Sequence, residues 1–250
     1  MAYKVVLGHF VHDENGRSRG GKPGDQTGTE SCRRNWYIIA GQEWTHVFRP
    51  KVSVVAEKIA KAMEDLVDNE NIGGYNQDDR TSAFEAAKAA KWNIKSVTKK
   101  CNSDCSAAVA LCVNAAGIPV SKDMYTGNEK DVLEKTCQFK TLTAQKYTRI
   151  PDNLKRGDIL LKPHHTAVVL SNKYSIEKEW RYVKGDVMKG EDVKHIQARL
   201  NEILDAGLPE STAFGMRTAD AVKRFQQMTR LTVDGVVGRK TAKALGFEWG

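Results

Sequence analysis

The chain has 250 residues, of which 40% are hydrophobic and 28% are charged. This length fits one large domain or two small ones, and the composition can bury a core, which excludes wholesale disorder. Lysine and arginine outnumber aspartate and glutamate by 39 to 31, so the net charge of +8 suits an anionic partner. No apolar run approaches the roughly 20 residues that cross a bilayer, and the first residues lack the apolar segment of a secretory signal. We therefore expect a protein that is made in the cytoplasm.

The first fifty residues predict short strands and a long loop. Residues 3–12 are typical of a strand, and the glycine-rich, polar stretch 13–30 is typical of a loop. Two short aromatic and β-branched runs, 35–40 and 44–49, flank Gly41-Gln42 and predict a hairpin. We expect the tryptophans of these runs, Trp36 and Trp44, to pack in the core.

The middle of the chain predicts three helices followed by two strands. Apolar residues recur at helical spacing over 52–67 and 81–90, and a third helix is predicted over 104–116, where Gly117 and Pro119 end it. Strands are predicted over 158–162 and 166–170, on either side of Pro163-His164-His165.

The last third of the chain predicts a second, smaller domain. Residues 171–185 have no clear period and are interpreted as a linker between a domain of residues 1–170 and one of residues 186–250. An amphipathic helix is predicted over 193–204. Beyond it, residues 214–222 and 237–245 share the pattern apolar-G-x-x-T-A-x-A-apolar, so each copy predicts a turn followed by a helix. The second domain is therefore expected to contain three helices.

One of the five cysteines lies where a thiol can act as a nucleophile. Their odd number and their spacing fit neither a disulfide scaffold nor a zinc site. Cys105 follows Ser103 and Asp104, either of which can cap the third helix, so it lies in the first turn. The helix dipole is expected to lower the pKa of a thiol there. A buried structural thiol is the alternative for Cys105, and Cys112 is expected in the core.

A thiolate nucleophile needs a base, and two histidines precede the last predicted strand. His165 adjoins the strand directly and is the better candidate, because a strand holds its first side chain rigidly. The alternative is that His164 and His165 are both exposed in a turn.

Several segments resemble motifs of the NlpC-type cysteine peptidases of bacterial cell walls, in particular those of phages and prophages. These segments are GDQTGTE at 24–30, GYNQDDR at 74–80, DCS at 104–106, and GDILL at 157–161 followed by HTAVVL at 165–170. Residues 187–246 resemble a three-helix peptidoglycan-binding module, with paired G-x-x-T units and the pair Phe225-Gln226. The resemblance implies a phage endolysin. Its fold would be α+β, a papain-like peptidase domain with an antiparallel sheet plus helices, followed by a small three-helix domain.

The order of these motifs departs from that of the family. The GDQTG box and the third catalytic position usually follow the strand that carries the catalytic histidine, but here both precede the nucleophile. Residues 3–49 must then supply the missing strands, so the domain resembles a circularly permuted NlpC-type peptidase. The stretch HFVHDENG at 9–16 aligns with the family pattern H-A-S-x-N-E-N-G, which places His9 at the position that orients the catalytic histidine.

The resemblance implies a catalytic set and a set of substrate contacts. Cys105 would be the nucleophile, His165 the base and His9 the orienting residue. The substrate contacts would be Asp104, Ser106, Tyr75 and Asp25. Asp25 either braces its loop or meets the stem peptide. No cofactor or metal is expected, although the acidic residues of the loop, Asp13, Glu14, Asp25 and Glu30, leave a cation such as calcium open as an alternative. Their spacing is not that of an EF-hand.

The expected activity is hydrolysis of an amide bond in a peptidoglycan stem peptide or cross-bridge. The alternatives are a CHAP-type N-acetylmuramoyl-L-alanine amidase with the same Cys-His pair and, in a different class, a non-enzymatic protein that binds cell wall or DNA. We expect a monomer whose partner is peptidoglycan, with no nucleic acid and no membrane insertion. It would reach the wall from the host cytoplasm after release through a holin.

Overall fold

The computed structural model describes residues 4–173 and 175–249. The chain divides into an N-terminal unit, Lys4–Asn172, and a C-terminal unit that begins at Lys173. The helices of the N-terminal unit are α1 (Ser53–Val67), α2 (Ser82–Ala89), α3 (Cys105–Ala115), α4 (Glu129–Lys135) and α5 (Gln145–Thr148). Its strands are β1 (Lys4–Phe10), β2 (Ser31–Asn35), β3 (His46–Pro50), β4 (Gly74–Tyr75), β5 (Asn102–Ser103), β6 (Phe139–Leu142), β7 (Ile159–Lys162) and β8 (His165–Lys173).

Six of these strands form one sheet in the order β2-β1-β8-β7-β3-β6. The pairs β1–β2, β7–β8, β3–β7 and β3–β6 are antiparallel. The α+β class, with an antiparallel sheet and helices, is thus confirmed. Because β1 lies beside β8, the sheet brings residues from the beginning of the chain next to the strand that begins at His165. The strands expected from residues 3–49 do complete this sheet.

The core of the N-terminal unit is built around α3, whose residues from Cys105 to Val113 are all buried. A helix that is apolar on every side must be covered on every side, and α1 and α2 pack against it. The sheet approaches α1 closely at Gly8, where a Cβ atom would lie 2.6 Å from Cγ of Met63. The three helices predicted over 52–67, 81–90 and 104–116 are confirmed as α1, α2 and α3.

The hairpin predicted over 35–49 is wrong. A turn is present at Gly41, but β2 pairs with β1, and β3 pairs with β6 and β7. Of the first run only Asn35 lies in a strand, the last residue of β2, whereas 46–49 of the second run lie in β3, which is not a neighbour of β2 in the sheet. Val47 and Phe48 are fully buried by other partners, and a local apolar pattern carries no information about which strand those partners belong to.

Within residues 175–249, the C-terminal unit contains three helices and four strands of two residues. The helices are α6 (Glu191–Leu204), α7 (Met216–Met228) and α8 (Arg239–Ala244), and the strands are β9 (Ser175–Ile176), β10 (Tyr182–Val183), β11 (Asp186–Val187) and β12 (Glu248–Trp249). The predicted helix over 193–204 is confirmed as α6. The repeat is confirmed as well, since its two glycines, Gly215 and Gly238, are the N-caps of α7 and α8.

The predicted linker, residues 171–185, requires a correction. β8 continues to Lys173, and β9 and β10 lie in the remainder of the stretch. Trp180 is 1% exposed in the core of the C-terminal unit, and its indole N–H donates to Oδ2 of Asp192 at 2.9 Å. Strands of two residues leave no periodic pattern, which explains why the sequence shows none here.

Candidate active site

Cys105 is the first residue of α3, as the sequence predicts. Asp104 is the N-cap, and its Oδ1 accepts the backbone N–H of Ala107 at 2.7 Å. The Cys105 side chain lies in the first turn, and the residue is 7% exposed. Ser103, the other candidate cap, lies in β5 beside Tyr75 of β4. This pairing of β4 with β5 brings Tyr75 to the start of the helix.

Two of the predicted substrate contacts, Asp104 and Ser106, are engaged in a network that holds the start of α3. The guanidinium of Arg80 donates to both carboxylate oxygens of Asp104, at 2.6 and 3.1 Å, and to Oγ of Ser106 at 2.9 Å. Both residues are buried. A bidentate Arg–carboxylate pair fixes geometry strongly, so this network sets the position of the neighbouring Cys105.

His165 is placed by a tight hairpin between β7 and β8. Lys162 and His165 are the last paired residues, and Pro163-His164 form the turn. His164 has a φ of +63°, which this turn requires at its second central residue. The backbone of Thr166, the residue after His165, is close enough to the Cys105 thiol to favour its ionised form. The thiol therefore lies against the start of β8.

His9 lies against His165, although 156 positions separate them in the chain. Nδ1 of His9 is 3.1 Å from Nε2 of His165, and the two rings meet edge to face with centroids 5.3 Å apart. On its other side, Nε2 of His9 is 3.5 Å from Sγ of Cys32, its partner across β1 and β2. The predicted contact between the two histidines is thus present, whereas His12 is exposed on the adjoining loop.

Burial keeps both histidines neutral. Together with the nearby His9, Lys162 and Arg34, burial lowers the pKa of His165 to about 3. Burial likewise lowers the pKa of His9 to about 4, with Arg34 and Lys162 contributing. Two neutral imidazoles that face each other share a single proton between the facing nitrogens. One nitrogen of His165 is engaged with His9, so Nδ1 is the one available to another partner.

The expected low pKa of the thiol is wrong. Burial, with the adjacent Asp104 carboxylate adding to it, raises the pKa of Cys105 to about 12, and the Thr166 backbone only partly opposes this rise. Desolvation of the thiolate outweighs the helix dipole here, because the sulfur lies inside the molecule and not at an exposed helix end. The free protein therefore holds a neutral thiol.

Asp25 and Glu30 brace the loop that precedes β2. The Asp25 carboxylate accepts the backbone N–H groups of Thr27 and Gly28 at 2.9 and 2.7 Å. Glu30 is fully buried and accepts the N–H of Gln26 at 2.6 Å and that of Tyr75 at 2.9 Å. Of the two roles considered for Asp25, the structure contains the bracing one. Within residues 4–173 and 175–249, no group of three or more His, Cys, Asp or Glu side chains could hold a metal ion.

Two aromatic rings, those of Tyr37 and Trp44, lie beside the histidines, which the sequence does not predict. The Trp44 ring lies 5.9 Å from that of His165, and the Tyr37 ring lies 6.3 Å from that of His9. The two aromatic rings are 5.7 Å apart, and the Trp44 indole N–H donates to the backbone carbonyl of Tyr37 at 3.0 Å. Both residues lie between β2 and β3, in the stretch assigned to the wrong hairpin.

A buried carboxyl group was missed as well. Glu129, at the start of α4, is fully buried, and its Oε1 lies 2.7 Å from Oγ1 of Thr166. Burial raises the pKa of Glu129 to about 8, and the charge of Asp104 contributes. Oγ1 of Thr166 is also 2.9 Å from the carbonyl oxygen of Leu160. One hydroxyl hydrogen cannot serve both oxygens, so a protonated Glu129 that donates to Thr166 satisfies both contacts. Acidic residues are common in the exposed first turn of a helix, so the sequence gives no sign that Glu129 is buried.

Replacing Glu129 with glutamine should change how stability depends on pH. The folded protein keeps the Glu129 proton up to about pH 8, whereas the unfolded chain loses it near its usual pKa of 4.5. The wild type therefore loses stability as the pH rises through this window, by roughly 1.4 kcal/mol for each pKa unit of difference. We expect the stability of the Gln variant relative to wild type to increase between about pH 5 and pH 8.5. Denaturant unfolding at the two pH values measures this, and parallel behaviour of the two proteins would contradict it.

Comparison with known families agrees with this organisation. Residues 7–176 match the family model described as an endolysin-like domain, and this match covers more than half of the chain. The chain belongs to the endolysin-like domain family. Residues 189–245 of this endolysin-like protein match a putative peptidoglycan binding domain. No curated protein and no solved structure matches the chain.

The two family matches support an endolysin that acts on the cell wall and carries a wall-binding module, with peptidoglycan as its partner. In the described part of the chain, no helix is long and apolar enough to span a membrane.

Proposed function

We propose that this endolysin-like protein is a phage cysteine endopeptidase that hydrolyses an amide bond in peptidoglycan, with Cys105 as the nucleophile. The observation that carries the proposal is the arrangement around the thiol. Cys105 begins a helix, its thiol is close to the backbone of Thr166, and Thr166 directly follows His165, whose imidazole is neutral. A thiol beside a neutral imidazole is the pairing that nucleophilic catalysis requires.

In the first half of the reaction, the Cys105 sulfur attacks the amide carbon while its proton moves to Nδ1 of His165. Because burial disfavours both isolated ions, the proton transfer accompanies the attack and does not precede it. The C–N bond then breaks, and His165 returns the proton to the leaving amine. The product of this half is a thioester on Cys105.

In the second half, His165 takes a proton from water as the water oxygen attacks the thioester carbon; the C–S bond then breaks, the proton returns to the Cys105 sulfur, and the peptide leaves with a new carboxyl end. The oxygen that becomes negative in each half would be bound by the backbone N–H of Cys105 at the start of the helix. Tyr75 can add a second donor. Burial and the nearby Cys105 raise the pKa of its phenol, so it stays protonated.

His9 would orient the His165 ring. If Nε2–H of His165 donates to Nδ1 of His9, then Nδ1 of His165 carries a lone pair and is the base. Nε2–H of His9 then faces Sγ of Cys32, which accepts it. The same hydrogen bond would stabilise the imidazolium that forms during the attack.

Replacing His9 with alanine should leave the fold intact and reduce turnover by about 10²- to 10⁴-fold, because a ring that is free to rotate seldom presents its lone pair to the thiol. Turnover of solubilised wall measures the loss, and circular dichroism checks the fold. The matched control is His12→Ala, since His12 is exposed and lies close by in the chain. Equal losses in both variants would remove His9 from the mechanism.

The NlpC-type, papain-like and permuted character of the domain is part of this proposal. The support comes from strand order. The nucleophile helix follows β1, β2 and β3 in the chain, yet these strands share a sheet with β7 and β8. The third residue of the proposed catalytic set therefore lies before the nucleophile in sequence and beside the base in space.

Activity should survive a metal chelator and disappear with a thiol-alkylating reagent, because a thiol–imidazole pair needs no Lewis acid. Cys137 is exposed and will be alkylated too, so Cys137→Ser is the control and should lose activity on alkylation as the wild type does. Loss of activity with the chelator, together with resistance to alkylation, would indicate a metal-dependent amidase.

Mass spectrometry of digested wall identifies the bond that is cut. An endopeptidase releases new amine and carboxyl ends within the peptides and leaves the lactyl–peptide linkage intact. An N-acetylmuramoyl-L-alanine amidase with the same Cys-His pair would instead separate whole stem peptides from a lactyl-bearing sugar. Products with new sugar reducing ends would overturn amide hydrolysis altogether.

A further inference from the structure

Two cations lie beside the paired histidines without a counter-ion. Lys162 pairs with His165 across β7 and β8 and is 5% exposed. Its ammonium lies 5.2 Å from the Tyr37 ring centre and 5.4 Å from that of Trp44. The Arg34 guanidinium lies 4.3 Å from the Tyr37 ring centre. Neither cation has a hydrogen bond or ion pair with another residue in the described part of the chain.

Arg34 is exposed to water, but the environment of the buried Lys162 is electrostatically incomplete. A buried ammonium normally has a carboxylate partner, because its desolvation is costly. Here the charged group that acts most clearly on Lys162 is the positive Arg34, and both cations lower the pKa values of His9 and His165. Aromatic faces stabilise a cation only partly. By contrast, the neighbouring Arg33 on the same strand is paired with Asp68.

We propose that Arg34 and Lys162, together with the rings of Tyr37 and Trp44, form a subsite for a free carboxylate of the peptide next to the bond that is cut. This inference rests on the proposed amide hydrolysis. The subsite adjoins His165, so if His165 acts on an amide bond, the bound carboxylate belongs to the peptide that contains this bond. A carboxylate would satisfy both cations at once, and the rings would contact the adjacent apolar part of the peptide. A wall phosphate offers the same charge, but it does not lie beside a peptide bond.

The experiment compares native wall with wall whose free carboxylates have been converted to amides. Hydrolysis by the wild type should fall at least about tenfold on amidated wall, because charge-assisted hydrogen bonds are lost. Lys162→Met and Arg34→Gln should cut both walls at similar rates. The matched controls are Arg33→Gln and Lys140→Met, both at exposed positions, and they should retain the wild-type preference. Because all variants carry the same wall-binding module, the ratio of the two rates isolates the subsite.

Binding of soluble wall fragments to a Cys105→Ala chain provides a readout that does not need turnover. Native fragments should bind more tightly than amidated ones, and adding Lys162→Met should abolish the difference. If the wild type cuts both walls equally, the subsite is wrong and amide hydrolysis stands. If neither wall is cut but binding still discriminates, the proposed hydrolysis is wrong and an anion subsite stands. A preference that follows wall phosphate content and ignores amidation would overturn the carboxylate assignment.

Discussion

A chain in which Cys105 is replaced by alanine is expected to bind the cell wall and leave it intact. Without the sulfur no thioester can form, and loss of a nucleophile reduces turnover by roughly 10⁴-fold or more. Binding should persist because the C-terminal unit has its own core around Trp180 and Phe225. Sedimentation with insoluble wall measures binding, and the release of soluble fragments measures hydrolysis.

The control for this variant is Cys112→Ala. Cys112 is fully buried in the same helix, two turns beyond Cys105. Its loss should reduce stability by about 1–2 kcal/mol through lost packing and should leave hydrolysis close to wild type. The assignment of the nucleophile would be wrong if Cys105→Ala still clears wall, or if a folded Cys112→Ala chain loses as much activity.

Deleting residues 4–50 should prevent the N-terminal unit from folding. This segment contributes three of the six strands in the main sheet, including β1 beside β8 and β3 beside β7. The truncated chain would leave the backbone edges of β7 and β8 unpaired, because β3 and β1 cover them in the complete sheet. An exposed apolar strand edge promotes aggregation. We expect insoluble protein on expression, measured as the soluble fraction and by circular dichroism.

Point substitutions in the same segment test whether its buried strands, and not merely its removal, account for the loss of folding. Leu7 is fully buried in β1, and Leu7→Ala should reduce stability by about 2–5 kcal/mol. Ile39 is 44% exposed in the same deleted segment, and Ile39→Ala should have little effect. A soluble, active fragment that begins near Lys51 would contradict both the central place of β1 and the role of His9.

The elements that the sequence predicts correctly are those with strong local signals. Helices α1 and α2 show apolar residues at helical spacing, α3 is marked by its N-cap and by the following Gly117 and Pro119, and the β7–β8 hairpin has strands on either side of a proline turn. Cys105 and His165 were located in the same way, from a helix start and a strand start. Each of these features depends on a few consecutive residues.

The features that sequence reasoning missed depend on which segments meet in space. The 35–49 stretch has two strand-like runs, but the first is mostly loop beyond Asn35, and the second pairs with the distant strands β6 and β7. Glu129 is buried only because α4 packs near Thr166. Burial also reversed the expected direction of the Cys105 pKa shift. The local sequence does not indicate whether a helix start is exposed or buried. His9 was found through its alignment with a family pattern and not through local pattern alone.

The most direct test of the account is to look for the thioester on Cys105. The protein is mixed with solubilised wall, quenched in acid during turnover, digested with a protease and mapped by mass spectrometry. The account predicts a wall-derived acyl group on the peptide that contains Cys105 and on none of the peptides containing Cys32, Cys101, Cys112 or Cys137. Turnover without any acylated cysteine, or an acyl group on another residue, would contradict it.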